Sequence, residues 1–135
     1  MPLLRMTNIN LCEKISEQMV LDAQQAYPHE CCGILIGKID GSITVSDIRK
    51  ANNLVTGAQN RCHFEMDPMF LYQVEREIER SGLEIVGFYH SHPDCKAFPS
   101  EQDLHYMIPG LVYAILSVTK DGVADIQYFQ NRPLL

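Results

Sequence analysis

The groups in this sequence with the greatest capacity for chemistry are gathered between positions 90 and 103. His90 and His92 supply two imidazoles, and Asp103 supplies a carboxylate. Two histidines and one carboxylate leave a fourth coordination position open for water, which is the pattern of a catalytic rather than a structural zinc site. Zinc is favoured over magnesium because two of the three ligands are nitrogen, although iron and other first-row metals use the same set. The pattern therefore predicts a metal that takes part in a reaction.

The spacing of the two histidines places a condition on this prediction. Residues 84–89 are mostly apolar and rich in β-formers, so we expect a central strand that delivers His90 at its carboxyl end. On a continuing extended strand we expect the two imidazoles to diverge, so that both reach one ion only if the chain turns at the strand end. Pro93 makes such a turn plausible.

A purely structural interpretation of the same residues is also open. Ser100 and Asp103 suit the N-cap and N3 positions of a short helix, an arrangement that needs no metal. Two histidines separated by one residue occur often by chance. Glu30, taken alone, has an alternative interpretation as a solvated residue at the start of a strand. Spacing by itself does not decide between a metal site and these alternatives.

Taken together, these polar residues resemble the motif of the JAMM (MPN-plus) metalloproteases. That motif consists of a glutamate, a variable gap, His-Ser/Thr-His, seven residues, a serine, two residues and an aspartate. Here Glu30 is followed by His90-Ser91-His92, then by seven residues and Ser100, then by two residues and Asp103. The resemblance extends from about residue 10 to residue 129 and includes three further segments: Tyr27–Gly33, Phe64–Pro68 and Gly87–His90.

The resemblance implies both a fold and a role for each motif residue. The implied fold is the MPN fold, an α/β domain whose central mixed β-sheet is flanked by helices. His90, His92 and Asp103 are implied to bind one zinc ion per chain, with Glu30 as the general acid/base and Ser100 stabilising the tetrahedral intermediate. A glutamate beside an activated water can accept its proton and return it to the leaving amine. A hydroxyl can donate a hydrogen bond to the developing oxyanion.

The rest of the sequence predicts the elements that hold these residues. Apolar positions at helical spacing indicate two helices, and the second has Asp67 as its N-cap and Pro68 at its first position. Turn residues at 40–41 and 120–122 lie between β-rich runs and predict two hairpins. Helices interspersed among strands predict an α/β domain with a mixed sheet. The predicted elements are a strand at 5–11, a helix at 15–26 that ends before Pro28, strands at 31–36 and 42–48, a loop at 52–60, a brief strand at 62–66, a helix from 68 to about 80, a strand at 84–89, a loop at 93–99, a short helix after Ser100, and strands at 111–118 and 123–129.

Length and composition restrict the class of protein. The chain has 135 residues, 46% of them hydrophobic, which suffices for one core, so residues 1–135 are expected to form a single domain. Without a secretory signal or an apolar run near the roughly 20 residues that span a bilayer, we expect a cytoplasmic protein with no membrane partner. The formal charge of -6 disfavours nucleic acid as a partner. Five cysteines without a C-x-x-C pair predict thiols that are mostly reduced and structural.

By the resemblance, the expected reaction is hydrolysis of a peptide or isopeptide bond next to the C-terminal Gly-Gly of a ubiquitin-like protein. Only residues 104–110 separate Asp103 from the next strand, which leaves little room for the insertion that larger eukaryotic deubiquitinases carry. The compact form resembles the stand-alone bacterial members of the family, and this resemblance implies a ubiquitin-like sulfur-carrier protein as the expected partner. The alternatives are a deubiquitinase-like isopeptidase, a non-catalytic MPN interaction scaffold, and a member of the RadC group linked to DNA repair. Scaffold members lack motif residues, and the RadC loop pattern differs from the one found here.

Overall fold

The computed structural model of the chain describes residues 3–55 and 65–131, and its strands there form one mixed sheet. Within these ranges seven strands lie in the order β1-β7-β6-β5-β3-β4-β2, with helices against both faces of the sheet. The predicted α/β fold with a central mixed sheet is confirmed. The elements are β1 (Leu3–Met6), β2 (Asn10–Leu11), α1 (Glu13–Ala26), β3 (Cys32–Asp40), β4 (Ser42–Ala51), α2 (Pro68–Ile78), β5 (Glu84–Pro93), α3 (Glu101–Tyr106), β6 (Val112–Thr119) and β7 (Gly122–Asn131).

Helix α1 covers one face of the sheet. Its buried positions Ile15, Met19 and Ala23 recur at helical spacing and pack in one cluster with strand residues such as Leu35 and Leu116. The helix ends at Ala26, as predicted, because a proline at position 28 disfavours helical backbone in the residue before it. The chain then turns at residues 27–28, where the His29 N–H donates to the Ala26 carbonyl at 2.8 Å, and the connection to β3 carries Glu30.

Helix α2 covers part of the opposite face. Its N-terminus matches the prediction, because the Asp67 carboxylate accepts a hydrogen bond from the backbone N–H of Met69 at 2.9 Å. Val74 and Ile78 of this helix pack against Ile34 and Ile36 of β3. These two strand residues lie on the face opposite to Leu35, as the two-residue period of a strand requires.

The two predicted hairpins are confirmed. Strands β3 and β4 pair in antiparallel fashion around Gly41, whose φ of 71° lies in the left-handed region that favours glycine. Strands β6 and β7 likewise form an antiparallel pair. Both hairpins belong to the central sheet that supports the candidate site.

The parallel pair β5 and β6 forms the frame of the candidate site. A parallel pair needs a crossover connection, and here residues 94–111 supply it and include α3. The pairing of β5 with β3 shifts register between Leu35 and Ile36. Val86 accordingly packs on the α1 face, whereas Phe88, two residues later, packs on the opposite face. Beyond this irregularity, β5 keeps its regular alternation into the candidate site.

Three predictions about the elements differ from the structure or are only partly covered by the described residues. The single strand expected at 5–11 is wrong, because β1 pairs with β7 and β2 pairs with β4, at opposite edges of the sheet. The strand expected at 84–89 extends to Pro93. Residues 52–55 form neither helix nor strand, as expected of a loop, and the same holds for 65–66, where a strand was predicted. The remaining parts of the predicted loop (56–60) and strand (62–64) lie outside the described residues.

Two further observations bear on the predictions from composition. Cys31 and Cys32 are buried and have free thiols, and burial raises the pKa of each to about 12. They behave as small apolar residues rather than as reactive thiolates. None of the helices found in 3–55 and 65–131 has both the length and the apolar character needed to cross a membrane.

Candidate metal centre and active site

Three potential ligand atoms meet at the carboxyl end of β5. The Nε2 atoms of His90 and His92 lie 3.1 Å apart, and Oδ2 of Asp103 lies 3.2 Å from the first and 3.0 Å from the second. A tetrahedral zinc ion with bonds of about 2.0–2.1 Å holds its ligand atoms roughly 3.3 Å apart. The triangle therefore has nearly the size that zinc requires, and its two nitrogens and one oxygen are the donors that zinc favours.

The two histidines reach this point from one continuous strand. The expectation of a turn after His90 is wrong, because β5 pairs with β6 through the His92 and Pro93 positions. The expectation that a continuing strand separates the imidazoles is also wrong, because side chains two residues apart lie on the same face. Their rings lie 4.9 Å apart, centroid to centroid. The continuous strand therefore brings the two imidazoles together, and no turn is needed.

The orientation of the His92 ring is set by the loop that follows it. Nδ1 of His92 lies 2.9 Å from the backbone carbonyl oxygen of Lys96, so in the neutral ring Nδ1 carries the proton and donates it. That tautomer leaves the lone pair on Nε2, the atom that faces the other two ligand atoms. Such a contact is typical of histidines that bind metals, since it fixes both the ring and its tautomer.

Asp103 is brought to the histidines by the N-terminus of α3. Ser100 is the N-cap of this helix, and its Oγ accepts a hydrogen bond from the Asp103 backbone N–H at 3.0 Å. In return Oδ2 of Asp103 accepts one from the Ser100 backbone N–H at 2.9 Å. These two bonds form a capping box, with aspartate at the N3 position. The structural interpretation of these residues is therefore correct, and the same box directs Oδ2 towards the imidazoles.

The charges of the three groups favour cation binding. Burial lowers the pKa of His90, which is 2% exposed, and so favours the neutral imidazole. Burial acts in the same direction on His92, but Asp103, the Lys96 carbonyl and Glu30 together outweigh burial and raise the pKa of His92. Burial also opposes the ionised form of Asp103, but its contacts with both imidazoles and with the Ser100 backbone outweigh burial and hold its pKa well below the ordinary value. A cation bound here would interact favourably with this carboxylate, and it would compete with protons for the imidazole nitrogens.

Glu30 approaches the same point from the connection between α1 and β3. One carboxylate oxygen of Glu30 and one ring nitrogen each of His90 and His92 lie within 4.8 Å of one another. Glu30 is only 5% exposed, so its interpretation as a solvated residue is wrong. Its Oε2 has no hydrogen-bond partner among the described residues. Burial raises its pKa to about 7; the positive charge of His92 opposes this shift and the Asp103 carboxylate adds to it.

Both carboxylates, of Glu30 and of Asp103, lie close to the same pair of histidines. Oδ2 of Asp103 lies 3.2 Å from Nε2 of His90 and 3.0 Å from Nε2 of His92. One oxygen of Glu30 lies within 4.8 Å of a ring nitrogen of each histidine, and its Oε2 makes no hydrogen bond among the described residues. A metal ion at this point could therefore draw on either carboxylate.

Two cavities are lined by Glu30 or by the loop that contacts His92. One, of about 180 Å³, is lined by Glu30 and by polar side chains that include Asp22, Lys50 and Asn53. The other, of about 560 Å³, is lined by Lys96 and Phe98 together with residues of β1, β6 and β7. The first of these two cavities therefore gives open space beside Glu30.

For several further residues, only the tertiary structure shows whether they contact the candidate site. His29 and His105 are exposed, and His63 lies outside the described residues. Sequence reasoning missed the contacts of Ser91 with Cys31 and of Tyr27 with Asp94. All four residues lie in segments that the sequence motif or the predicted loop at 93–99 includes. No local sequence pattern indicates which residue each of them contacts.

Comparison with known proteins agrees with this geometry. The family model described as prokaryotic homologs of the JAB domain matches residues 13–130. A desampylase from Haloferax volcanii is 38% identical over 91 residues, covering 67% of this chain and 63% of the relative. A probable TtuB-protein conjugate cleaving protease from Thermus thermophilus is 34% identical over 50 residues, covering 35% of this chain and 34% of the relative. The chain thus spans less than two thirds of the length of these curated relatives.

A solved structure extends the likeness over nearly the whole chain. The solution structure of a protein from Desulfitobacterium hafniense superposes with a TM-score of 0.72 at 32% sequence identity. The match covers 95% of this chain and 93% of that one. Since the family model, this structure and the mixed sheet agree, the chain belongs to the prokaryotic homologues of the JAB domain, the JAB/MPN group whose motif its polar residues resemble.

Proposed function

We propose that this chain is a zinc metallopeptidase that hydrolyses the peptide or isopeptide bond next to the C-terminal Gly-Gly of a ubiquitin-like protein of the sulfur-carrier type. One observation carries the proposal: Nε2 of His90, Nε2 of His92 and Oδ2 of Asp103 lie 3.0–3.2 Å apart, near the buried Oε2 of Glu30, which has no hydrogen-bond partner in the described part of the chain. A purely structural cluster has no need of a carboxylate left without a partner at its edge.

His90, His92 and Asp103 would hold one zinc ion. Bound there, zinc would lower the pKa of a coordinated water to about 7 and polarise the carbonyl of the bond to be cut. Asp103 contributes the negative charge of the set, and the capping box with Ser100 keeps its oxygen in place. The Lys96 carbonyl keeps the lone pair of His92 directed inwards.

Glu30 would act as the general acid/base. A group that first takes a proton and later returns it works best when its pKa is near the working pH. Burial brings the pKa of Glu30 to about 7, close to that condition. Since its Oε2 is not engaged by the described residues, the carboxylate is free to accept the proton of the attacking water and to pass it to the leaving amine.

Ser100 would stabilise the oxyanion of the tetrahedral intermediate. Its Oγ already accepts a hydrogen bond from the Asp103 backbone N–H, which leaves its own proton to be donated. Ser100 is exposed at the N-terminus of α3, where a substrate carbonyl can approach it. A hydroxyl in this position donates without having to ionise.

The substrate class is supported by the relatives and by the shape of the chain. Of the two curated relatives named above, one is named a desampylase and the other a probable TtuB-protein conjugate cleaving protease. The segment from Asp103 to β6 is short, since α3 ends at Tyr106 and β6 starts at Val112. Glycines at the end of a substrate tail have no β-carbon and can pass close to an enzyme surface. These features favour an extended Gly-Gly tail.

The test is cleavage of defined tails. Zinc-loaded protein is incubated with a sulfur-carrier protein extended beyond its Gly-Gly, with its Ala-Ala counterpart and with linked ubiquitin dimers, and the products are read by intact mass. Cleavage after Gly-Gly in the extended carrier, lost in Glu30→Gln and retained in the exposed control Glu75→Gln, is the expected result. Efficient cutting of ubiquitin dimers instead would assign a deubiquitinase. Loaded protein that cuts none of them contradicts the proposal and favours an interaction scaffold.

A further inference from the structure

Glu30 lies on a connection that gives it few bonds of its own. It falls between the end of α1 at Ala26 and the start of β3 at Cys32, outside both elements. Its Oε2 has no hydrogen-bond partner among the described residues. The bond from Asn53 Nδ2 to its backbone carbonyl is long, at 3.4 Å. The position of the carboxylate relative to the imidazoles therefore depends on the residues next to it in the chain.

On the carboxyl side, Glu30 is held through Cys31 and Ser91. The antiparallel ladder of β3 and β5 ends at the pair Cys32 and His90. At the next position the Ser91 N–H donates to the Cys31 carbonyl at 3.1 Å, but the Cys31 N–H donates to the Ser91 hydroxyl at 2.9 Å. A side-chain oxygen thus takes the place of a backbone carbonyl. The two strands can separate here without leaving a buried N–H unpaired.

On the amino side, Glu30 is held through Tyr27 and Asp94. The Tyr27 hydroxyl donates to the Asp94 carboxylate, at 2.9 Å from Oδ1 and 3.0 Å from Oδ2. Asp94 has a φ of 57°, in the left-handed region that residues other than glycine seldom adopt, and its N–H donates to the Val118 carbonyl at 2.7 Å. Tyr27 lies three residues before Glu30, and Asp94 lies two residues after His92. One hydrogen bond therefore joins the chain before the glutamate to the chain after the histidine.

The three ligand residues have anchors that do not involve this bond. His90 and His92 belong to the ladder of β5 with β6, opposite Ile115 and Ser117. The capping box with Ser100 holds Asp103. Loss of the Tyr27–Asp94 bond should therefore move Glu30 more than it moves the ligands.

We propose that Tyr27 and Asp94 are positioning residues: their hydrogen bond, together with the Ser91–Cys31 pair, sets the distance of the Glu30 carboxylate from the metal cluster. The inference rests on the proposed function for its consequence in catalysis, because it assigns the two residues to placement of the acid/base. A displacement of about 1 Å at a reacting group can cost on the order of 100-fold in rate. The bond should accordingly affect kcat, with little effect on KM or on zinc affinity.

The experiment is a double-mutant cycle with matched controls. Tyr27→Phe removes the donor, and Asp94→Gly removes the acceptor while tolerating the left-handed backbone. Asp94→Asn keeps an acceptor oxygen and also tolerates that backbone, so it serves as the conservative rescue. Tyr72→Phe, at an exposed tyrosine of α2, is the control for loss of a tyrosine hydroxyl. For each variant, kcat and KM on the extended carrier, zinc affinity by chelator competition, and amide hydrogen exchange of residues 27–31 are measured.

The expected result is that Tyr27→Phe and Asp94→Gly each lower kcat roughly tenfold or more, and that the double variant is no worse than either single one. The kcat of Asp94→Asn and of Tyr72→Phe should stay within about twofold of the wild-type value. Zinc affinity should be unchanged in every variant. Amide hydrogen exchange of residues 27–31 should rise in Tyr27→Phe, in Asp94→Gly and in the double variant, but not in the two controls. Near-normal kcat in both single variants overturns the inference while leaving the proposed function intact, and so does a parallel loss of zinc affinity. If the wild type cleaves no substrate, the proposed function fails, and the amide hydrogen exchange data decide the inference. Faster exchange of residues 27–31 in Tyr27→Phe and Asp94→Gly, with zinc affinity unchanged, supports it. Unchanged exchange in these variants overturns it.

Discussion

The backbone N–H of Ser100 donates to Oδ2 of Asp103 at 2.9 Å, and this oxygen also lies 3.0 Å from Nε2 of His92. One carboxylate oxygen therefore completes a helix cap and faces the candidate metal position. The structural interpretation of these two residues is correct, and the functional one remains the proposal made above. A change at Ser100 should consequently affect both stability and rate, and the two effects can be measured separately.

Ser100→Ala is expected to lower the free energy of unfolding by about 1 kcal/mol, because α3 loses its N-cap oxygen. Its turnover on a cleaved substrate is expected to fall on the order of 10²- to 10³-fold, because one oxyanion donor is lost. Chemical denaturation and steady-state kinetics measure the two effects. The matched control is Asp67→Ala at the N-cap of α2, which should show the stability loss alone. Equal rate losses in both variants would mean that the effect of Ser100 is only structural.

His90→Ala should remove the bound metal. The imidazole is buried and would supply one of the three proposed ligand atoms, and the remaining two could not retain a zinc ion against competing chelators. We expect about one zinc per wild-type chain by elemental analysis, and an affinity loss of more than roughly 100-fold in the variant. His105→Ala, at an exposed histidine two positions beyond Asp103, is the control and should keep full zinc content. Zinc bound equally by all three proteins would refute the ligand assignment.

Glu30→Gln should abolish hydrolysis and leave the zinc in place. The amide preserves the size of the side chain but cannot accept a proton from water at neutral pH. Since His90, His92 and Asp103 are the proposed ligands and Glu30 is the proposed acid/base, zinc content should match the wild type. Turnover and metal content are measured on one preparation. Near-normal turnover would contradict the general acid/base role, and loss of zinc would make Glu30 a ligand instead.

The metal-free protein should lose stability as the pH rises, in a way that depends on Glu30. Burial raises the folded-state pKa of this carboxyl from 4.5 to about 7, against the effect of His92 and with that of Asp103. A raised carboxyl pKa means that the folded state holds its proton more tightly than the unfolded state does. The resulting stability is complete below about pH 4.5 and is lost as the pH rises through 7. It amounts to an order of 3 kcal/mol.

Denaturation of the metal-free wild type and of metal-free Glu30→Gln between pH 4.5 and 8 measures this effect. As the pH rises, the free energy of unfolding of the wild type should fall relative to that of the variant. Groups that titrate elsewhere in the chain act on both proteins and largely cancel in the difference. Parallel curves for the two proteins would show that Glu30 is solvated when the metal is absent.

The fold was largely predictable because most of its signals are local. The end of α1 before Pro28, the Asp67 cap of α2 and the glycine turn at Gly41 each depend on neighbouring residues. The edges of the sheet were not predictable in this way. Leu3 pairs with Asn131, and Asn10 pairs with Thr44, so residues only seven apart in sequence join opposite edges of the sheet through distant partners. No local pattern specifies such a separation.

The sequence by itself determined the kinds of groups at the candidate site and their spacing, because a motif of histidines, serine and acidic residues is a property of the chain. Only the tertiary structure decided how those groups meet. His90 and His92 share one face because β5 continues along β6 beyond the point at which the sequence indicated a turn. Glu30 is buried beside them because β3 pairs with β5, some sixty positions away in the chain, and because Tyr27 reaches Asp94. Burial and distance between remote segments arise from packing, and a single sequence does not contain them in any local pattern.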